Sequence, residues 1–411
     1  MILTIKEFDR IHVREKRDLV NKQISQVDAS YLQSIVVEDT PVFKPGHRFL
    51  VAQQWVGVIA LPDLTIEILP KLSAAVSADI CREILTRMLL VAHQPLATKK
   101  LPAAVSLRRH SLVEVLISAF LSALESYIKN GLLSSYVKVQ SNLDTVKGRI
   151  LFNKQFNQNV LSPTRFHCRY SKYIRDNPLN QFFLCCLREM QAVSKDKENQ
   201  DRIRSAIMNF EDVQSITVPT ALSQQLTFNS TNVIAREAYE YGNLFLSKHS
   251  VMASPGRAKM SMMLFDMNRL FETFLCRSLR HAYGNKVQYQ SAKYHLVVDP
   301  ETKKKYIKLR PDIVLKISDS EALVIDTKWK LPQKFAKESD IYQMNAYSTG
   351  LPNISKVYLL FPETANTQRF VGDFEFLSND GHARKLGIRA VDMSLCLNWN
   401  DFLLHLKSLF Q

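Results

Sequence analysis

The chain has 411 residues, of which 46% are hydrophobic and 23% charged. That balance belongs to globular protein and excludes disorder, and the length exceeds one ordinary core, so two or three domains are expected. With 54 Lys and Arg against 39 Asp and Glu, the net charge is +15, which suits a generally basic soluble protein or, more sharply, one with a polyanionic partner, nucleic acid first.

The opening residues, "MILTIKEFDR", carry charges within the first ten positions and do not read as a signal peptide. Residues 1 to about 72 read as β-rich. In "WVGVIALPDLTIEILPKL", β-branched runs flank the turn pair Pro62-Asp63, predicting a hairpin. Its second strand alternates Thr65 and Glu67 with Leu64, Ile66 and Ile68, as a half-buried strand does. From about 77 to 250 the pattern is mostly helical. "SADICREILTRMLLVAH" has a helical apolar period with Ser77 or Asp79 as N-cap, and "DNPLNQFFLCCLREM" offers Asp176 or Asn177 as cap with Pro178 in the first turn. "SLVEVLISAFLSALESY" is interrupted by Glu114 and Glu125, so it reads as a core helix and not a membrane span. "DTVKGRILFNKQ" is a short extended piece, and "SKDKENQDR" reads as a solvated loop or helix end.

"SPGRAK" is the clearest boundary signal. Beyond it a helix is expected over "SMMLFDMNRLFETFLCRSLRHAY". Strands follow at "KVQYQ" and "KYHLVV", then a helix at "SDIYQMNAYSTG", a strand at "KVYLLFP", β runs near 370 and 388, and a closing helix, "DFLLHLKSLF". This order divides the chain into a β-rich N-terminal domain with a helix (1–105), a mainly helical middle domain (106–253) and a C-terminal α/β domain (254–411). The six cysteines form no C-x-x-C pair, which argues against a zinc site or a disulfide framework and for buried thiols in a reducing cytoplasm.

Within the last domain, "LRPDIVLKISDSEALVIDTKWK" reads as two apolar strands joined by a polar turn, yet it holds Asp312, Asp326 and Lys328. Strand interiors disfavour Asp. Side chains alternate along a strand, so Asp326 and Lys328 share a face. If Ser318, Asp319 and Ser320 form the turn, Ile317 lies opposite Glu321 and Asp312 falls opposite Asp326; a one-residue slip would send Asp312 to the other side. Two converged carboxylates raise one another's pKa unless a cation sits between them, and oxygen ligands suit Mg²⁺, with Mn²⁺ as a substitute. Such an ion lowers the pKa of a bound water and stabilises charge on a phosphorane, and a neighbouring lysine can serve the same charge. The alternative is a surface ion pair of Lys328, worth about 0–1 kcal/mol.

Pro311-Asp312 followed by Asp326-Thr327-Lys328 resembles the PD-(D/E)-x-K nuclease superfamily. That resemblance implies a C-terminal restriction-endonuclease-like α/β domain with a mixed central sheet, in a multidomain α+β and α/β chain. It gives Asp312, Asp326 and Lys328 catalytic roles. The Thr327 backbone carbonyl and Glu272, on the preceding helix, become further metal ligands. Gln343 and Tyr347, one helix turn apart in "QMNAY", match the Q-x-x-x-Y helix of the RecB-like branch and support or position DNA.

Four segments taken in order, "WVGVIALPDLTIEILPKL", "GLLSSYVKVQSNLDTVKGRILFNKQ", "DNPLNQFFL" and "LRPDIVL…LVIDTKWK", resemble the McrC family, the nuclease subunits of McrBC-type modification-dependent restriction systems. That resemblance implies a cytoplasmic, Mg²⁺-dependent endonuclease acting on methylated double-stranded DNA, with no membrane role. Its implied partner is a McrB-like AAA+ GTPase hexamer, whose hydrolysis the chain stimulates through its N-terminal part. The chain shows no G-x-x-x-x-G-K-[ST] loop, so nucleotide is expected on the partner and not here. Arg149, beside Gly148, is a candidate for stimulating the partner; a basic surface loop is the plainer alternative. Two other functions remain open at this point: an autonomous RecB-like repair or mobile-element nuclease, and a nuclease-fold scaffold that activates an AAA+ ring.

Overall fold

The structure is a computed structural model that describes residues 1–61, 63–72, 76–93, 112–162, 164–230, 232–252, 260–290, 294–330, 336–364, 366–377 and 384–411. The "SPGRAK" stretch and Pro62 fall outside these residues. The chain forms two compact units: Met1–Val115 with Lys248–Gln411, and Leu116–Ser247. The boundaries drawn from sequence near 105 and 253 lie close to the ends of the second unit, and the segments on either side of it share the first.

That sharing has a concrete cause in a five-stranded sheet with order Ile2–Lys6, Thr65–Leu69, Trp55–Ala60, Met260–Asp266, His249–Met252. The predicted hairpin is there, with Ala60 opposite Thr65 and Gly57 opposite Ile68. Glu67, expected on the half-buried strand's polar side, is in fact buried and accepts two bonds of 2.7 Å from Arg82. Residues 260–266 correct the sequence reading. They were expected to begin a long helix; instead they form a strand antiparallel to Trp55–Ala60. The helix starts at Met267, where the Asp266 carboxylate accepts from the Asn268 and Arg269 amides. Pairing with a strand two hundred residues away overrides local propensity, and it buries Met263, Leu264 and Phe265. Close approach is possible because Gly57, at φ +135°, presents no Cβ to the Met263 carbonyl. A second sheet (order Gln23–Ser25, Arg10–Arg14, Phe49–Ala52, Phe43–Gly46) packs its inner residues Ile11, Ile24 and Leu50 into one core with Leu3, Ile5, Ile66 and Leu264.

The C-terminal residues build a mixed six-stranded sheet, order Val287–Tyr289, Ile313–Lys316, Ala322–Thr327, Ile354–Pro362, Arg384–Val391, Gly372–Phe376. Its two inner contacts from Ala322–Thr327 through Arg384–Val391 are parallel, and the flanking ones antiparallel. Helix Glu338–Gly350 makes the crossover that the first parallel pair requires. The central strands read as near-continuous apolar runs because both faces are covered; Leu323, Val324 and Ile325 are all buried. Helix Met267–Tyr283 packs on Ala78–His93 and Trp399–Ser408, with Phe274 stacked on Phe402 at 5.3 Å. The Ala78–His93 helix starts as predicted, Ser77 accepting from the Ile80 amide at 3.3 Å.

The second unit is less purely helical than expected. Helix Pro178–Val193 is capped by Asn177 with Pro178 at its first position, but Ser135–Leu143, Phe166–Ile174 and Arg149–Ile150 form an antiparallel sheet. Both long strands are largely exposed, so they lack the apolar alternation that betrays a strand. "SKDKENQDR", expected as a loop or helix end, opens helix Lys197–Met208 with Asp196 as N-cap. Among the described residues no helix is long and apolar enough to cross a membrane. All six cysteines are buried and free.

Candidate active site

Strands Ile313–Lys316 and Ala322–Thr327 pair antiparallel with Ile313 opposite Ile325, and the turn closes with Ile317 N donating to the Glu321 carbonyl. This is the register expected from sequence, and it sets Asp312 against Asp326. Asp312 Oδ2 accepts from the Thr327 amide at 2.8 Å and from its hydroxyl at 3.0 Å, so the motif's middle residue locks the first carboxylate. Asp326 is fully buried. Its Oδ2 lies 2.5 Å from the Lys328 ammonium in a buried ion pair, and its Oδ1 has no hydrogen-bond donor among the described residues.

Lys328 is itself held. Its Nζ donates to Gln343 Oε1 at 3.2 Å, Gln343 Nε2 donates to Tyr347 Oη at 2.8 Å, and Tyr347 Oη donates to the Arg310 carbonyl at 2.8 Å. The relay runs from the lysine back to the backbone just before Pro311-Asp312. Gln343 and Tyr347 meet because they sit one turn apart on helix Glu338–Gly350. Glu272 comes from helix Met267–Tyr283 and accepts from Gln290 Nε2 at 2.8 Å, while the Gln290 amide donates to the Asp312 carbonyl at 3.0 Å.

Burial and the neighbouring Asp326 push the Asp312 carboxyl up to about 6, and burial raises Asp326 as well. Burial, then Asp312, raises Glu272. Burial opposes the Lys328 charge, but Asp326, Asp312 and Asp340 outweigh it and raise its pKa. The site is thus short of positive charge by construction. Among the described residues no three His, Cys, Asp or Glu side chains gather tightly enough to hold a metal alone. What does fit a hard cation is the pair Asp312 and Asp326, with the buried Asp326 Oδ1 that lacks a hydrogen-bond donor among the described residues. Glu272 stands at the edge of this group with its carboxylate engaged by Gln290. Arg149 is in the second unit, exposed on strand Arg149–Ile150 opposite Arg169, with Gly148 before it at φ +67°.

Three supports were not expected. Lys330 donates to both Asp340 oxygens at 2.8 and 2.9 Å, tying the strand end to the crossover helix. Gln290 steers Glu272. Trp329, next to Lys328, packs edge-on against Phe271 at 5.1 Å and donates Nε1 to Glu7 Oε2 at 2.8 Å. Only the apolar character of Trp329 hinted at this, since its partner is far away in sequence.

Glu7 is fully buried, takes a second bond from the Lys71 amide, and has no partner for Oε1 among the described residues. Burial pushes its carboxyl from 4.5 to about 7. Between those values the folded chain keeps a proton that the unfolded chain has lost, so stability falls as pH rises through that window. Glu7→Gln is expected to flatten this trend, removing up to about 3 kcal/mol of the difference between acid and neutral pH. Urea unfolding at pH 5 and 8 checks it; an unchanged difference in the variant contradicts it.

A family model described as the McrBC 5-methylcytosine restriction system component matches residues 50–362. No curated protein matches the chain. A chain in the refined half-complex from a tetradecameric assembly of Thermococcus gammatolerans McrB AAA+ hexamers with bound McrC is 18% identical. The match covers 99% of this chain and 100% of that one, with a TM-score of 0.68. A chain in the cryo-EM structure of the Thermococcus gammatolerans McrBC complex is 22% identical over 69% of this chain and 88% of that one, with a TM-score of 0.52. At these identities the likeness is one of fold.

Proposed function

Since the chain belongs to the McrBC 5-methylcytosine restriction system component family, as a McrC-type member, we propose that it is the Mg²⁺-dependent DNA endonuclease subunit of a cytoplasmic modification-dependent restriction complex. The observation that carries this reading is the convergence of Asp312, Asp326 and Lys328, with the buried Asp326 Oδ1 left without a hydrogen-bond donor among the described residues. Its C-terminal domain is read as a PD-(D/E)-x-K nuclease domain.

When bound, Mg²⁺ (or Mn²⁺) supplies Lewis-acid activation of a water and of the scissile phosphate. Asp312, Asp326 and the Thr327 carbonyl would hold it, with Glu272 in support. Thr327 keeps Asp312 turned inward through its amide and hydroxyl. Lys328 stabilises negative charge that develops on the phosphate, and Gln343 and Tyr347 fix its ammonium there. A McrB-like AAA+ GTPase hexamer recognises the methylated duplex and carries the nucleotide; this chain stimulates its hydrolysis, with Arg149 as the stimulating residue.

The test is cleavage of methylated and unmethylated plasmid with Mg²⁺, by the chain alone and with a McrB-like AAA+ protein and GTP. Cleavage of methylated DNA only in the complete mixture is expected. Equal cleavage of both DNAs by the lone chain would replace this reading with an autonomous nuclease. Stimulated hydrolysis with no cleavage would replace it with a scaffold.

A further inference from the structure

The N-terminal sheet has a second chemistry on its outer face. Along Arg10–Arg14 the side chains alternate, Ile11 fully buried while Arg10, His12 and Arg14 are exposed. The next strand continues the pattern: Leu50 and Ala52 are buried, and Phe49 and Val51 are partly open. Register puts Lys44, Val51 and Arg10 in one row and Gly46, Phe49 and His12 in the next. The Arg10 guanidinium lies 4.8 Å over the Phe49 ring. The ring also covers Gly46, where a Cβ would meet it at 2.3 Å. Beside this face runs a groove of about 660 Å³ lined by Arg14, Arg48, Phe49 and the amides of Gln26 and Gln33, with Glu15 as its one carboxylate.

Charge decides what this face is for. Two nearby acids are already used, Asp28 by Arg17 and Asp9 by Lys22, each at 2.7 Å, which leaves Glu15 as the groove's carboxylate. No ion pair joins Arg10, Arg14, Lys44 or Arg48 to a carboxylate among the described residues. Exposed cations so grouped repel one another, and an external polyanion relieves this more than screening by salt does. Arg10 and Arg14, on one face of their strand, also offer planar, bidentate donors for phosphate.

We propose that this sheet face binds the phosphate backbone of duplex DNA, outside the Asp312–Asp326 site and without reading sequence. The inference rests on DNA being the substrate, as proposed above. Backbone binding releases counterions, so log K falls with log salt by about 0.9 for each phosphate neutralised. The experiment uses the full chain in EDTA with a short labelled duplex, followed by anisotropy from roughly 50 to 200 mM salt. Arg10→Ala with Arg14→Ala is expected to lower the slope by about 1.8 and to weaken binding alike on every sequence. Lys197→Ala with Arg204→Ala, removing equal charge from exposed positions of the second unit, is expected to leave the slope unchanged. An unchanged slope in the first variant overturns the proposal, as does an equal loss in the second, and so does polyglutamate competing as well as duplex. Because no metal is present, these outcomes are independent of cleavage: the nuclease reading fails on the plasmid assay, this surface on the salt slope.

Discussion

Asp326→Ala is expected to lose DNA cleavage by about 10³-fold or more while the chain stays folded. The rate follows from the carboxylate's place at the centre of the proposed metal set, where Lewis-acid catalysis contributes several kcal/mol and each 1.36 kcal/mol is tenfold. The stability follows from the same geometry. Asp326 is fully buried beside a second raised carboxylate, with Lys328 as its ion-pair partner. Removing it relieves repulsion with Asp312 but breaks that pair, and Lys328 keeps Gln343 and the nearby Asp312. Sites built for chemistry hold such like charges at a cost in stability. The two effects oppose one another, so the melting temperature without metal is expected to stay near that of the unaltered chain. Lys328→Ala is expected to reduce the rate by about 10²–10³-fold, the range for removing one donor that stabilises transition-state charge.

The largest effect on folding is expected from Gly57→Ala. Gly57 sits at φ +135°, where an L side chain is strained, and its Cβ would lie 2.0 Å from the Met263 carbonyl oxygen. That oxygen is backbone in the paired strand, so it cannot swing away as a side chain does. Relief would break the Gly57–Leu264 pairing that joins, in one sheet, the two chain segments of the first unit. The expected loss is at least about 3 kcal/mol. Gly131 is the control: its φ is +89° but nothing lies within 4 Å of its Cβ, so Gly131→Ala carries strain without a clash. Urea unfolding of both variants checks this, and equal losses would contradict the clash.

The proposed site was readable because its information is local. A strand, a short turn and a strand fix register through period-2 alternation, so Asp312 and Asp326 could be set face to face from 309–330 alone. Gln343 and Tyr347 were singled out by their resemblance to the Q-x-x-x-Y helix of the RecB-like branch, and helical spacing only adds that they share one face. Residues that depend on distant chain were not. Met260–Asp266 is a strand only because Trp55–Ala60 is there to pair with it. Glu7 reaches Trp329 across almost the whole chain, and no spacing rule links them. The second unit's exposed sheet escaped for the opposite reason: with both faces largely wet, its strands carry no burial pattern.

Most direct is the single-turnover rate of methylated plasmid cleavage by the chain with its AAA+ partner, GTP and Mg²⁺, measured side by side for the unaltered protein and Asp326→Ala, with melting curves for both. Rapid cleavage by the first and none by an equally stable variant is the predicted result. A variant that cuts at the unaltered rate would contradict the assignment of Asp312, Asp326 and Lys328 as the hydrolytic site.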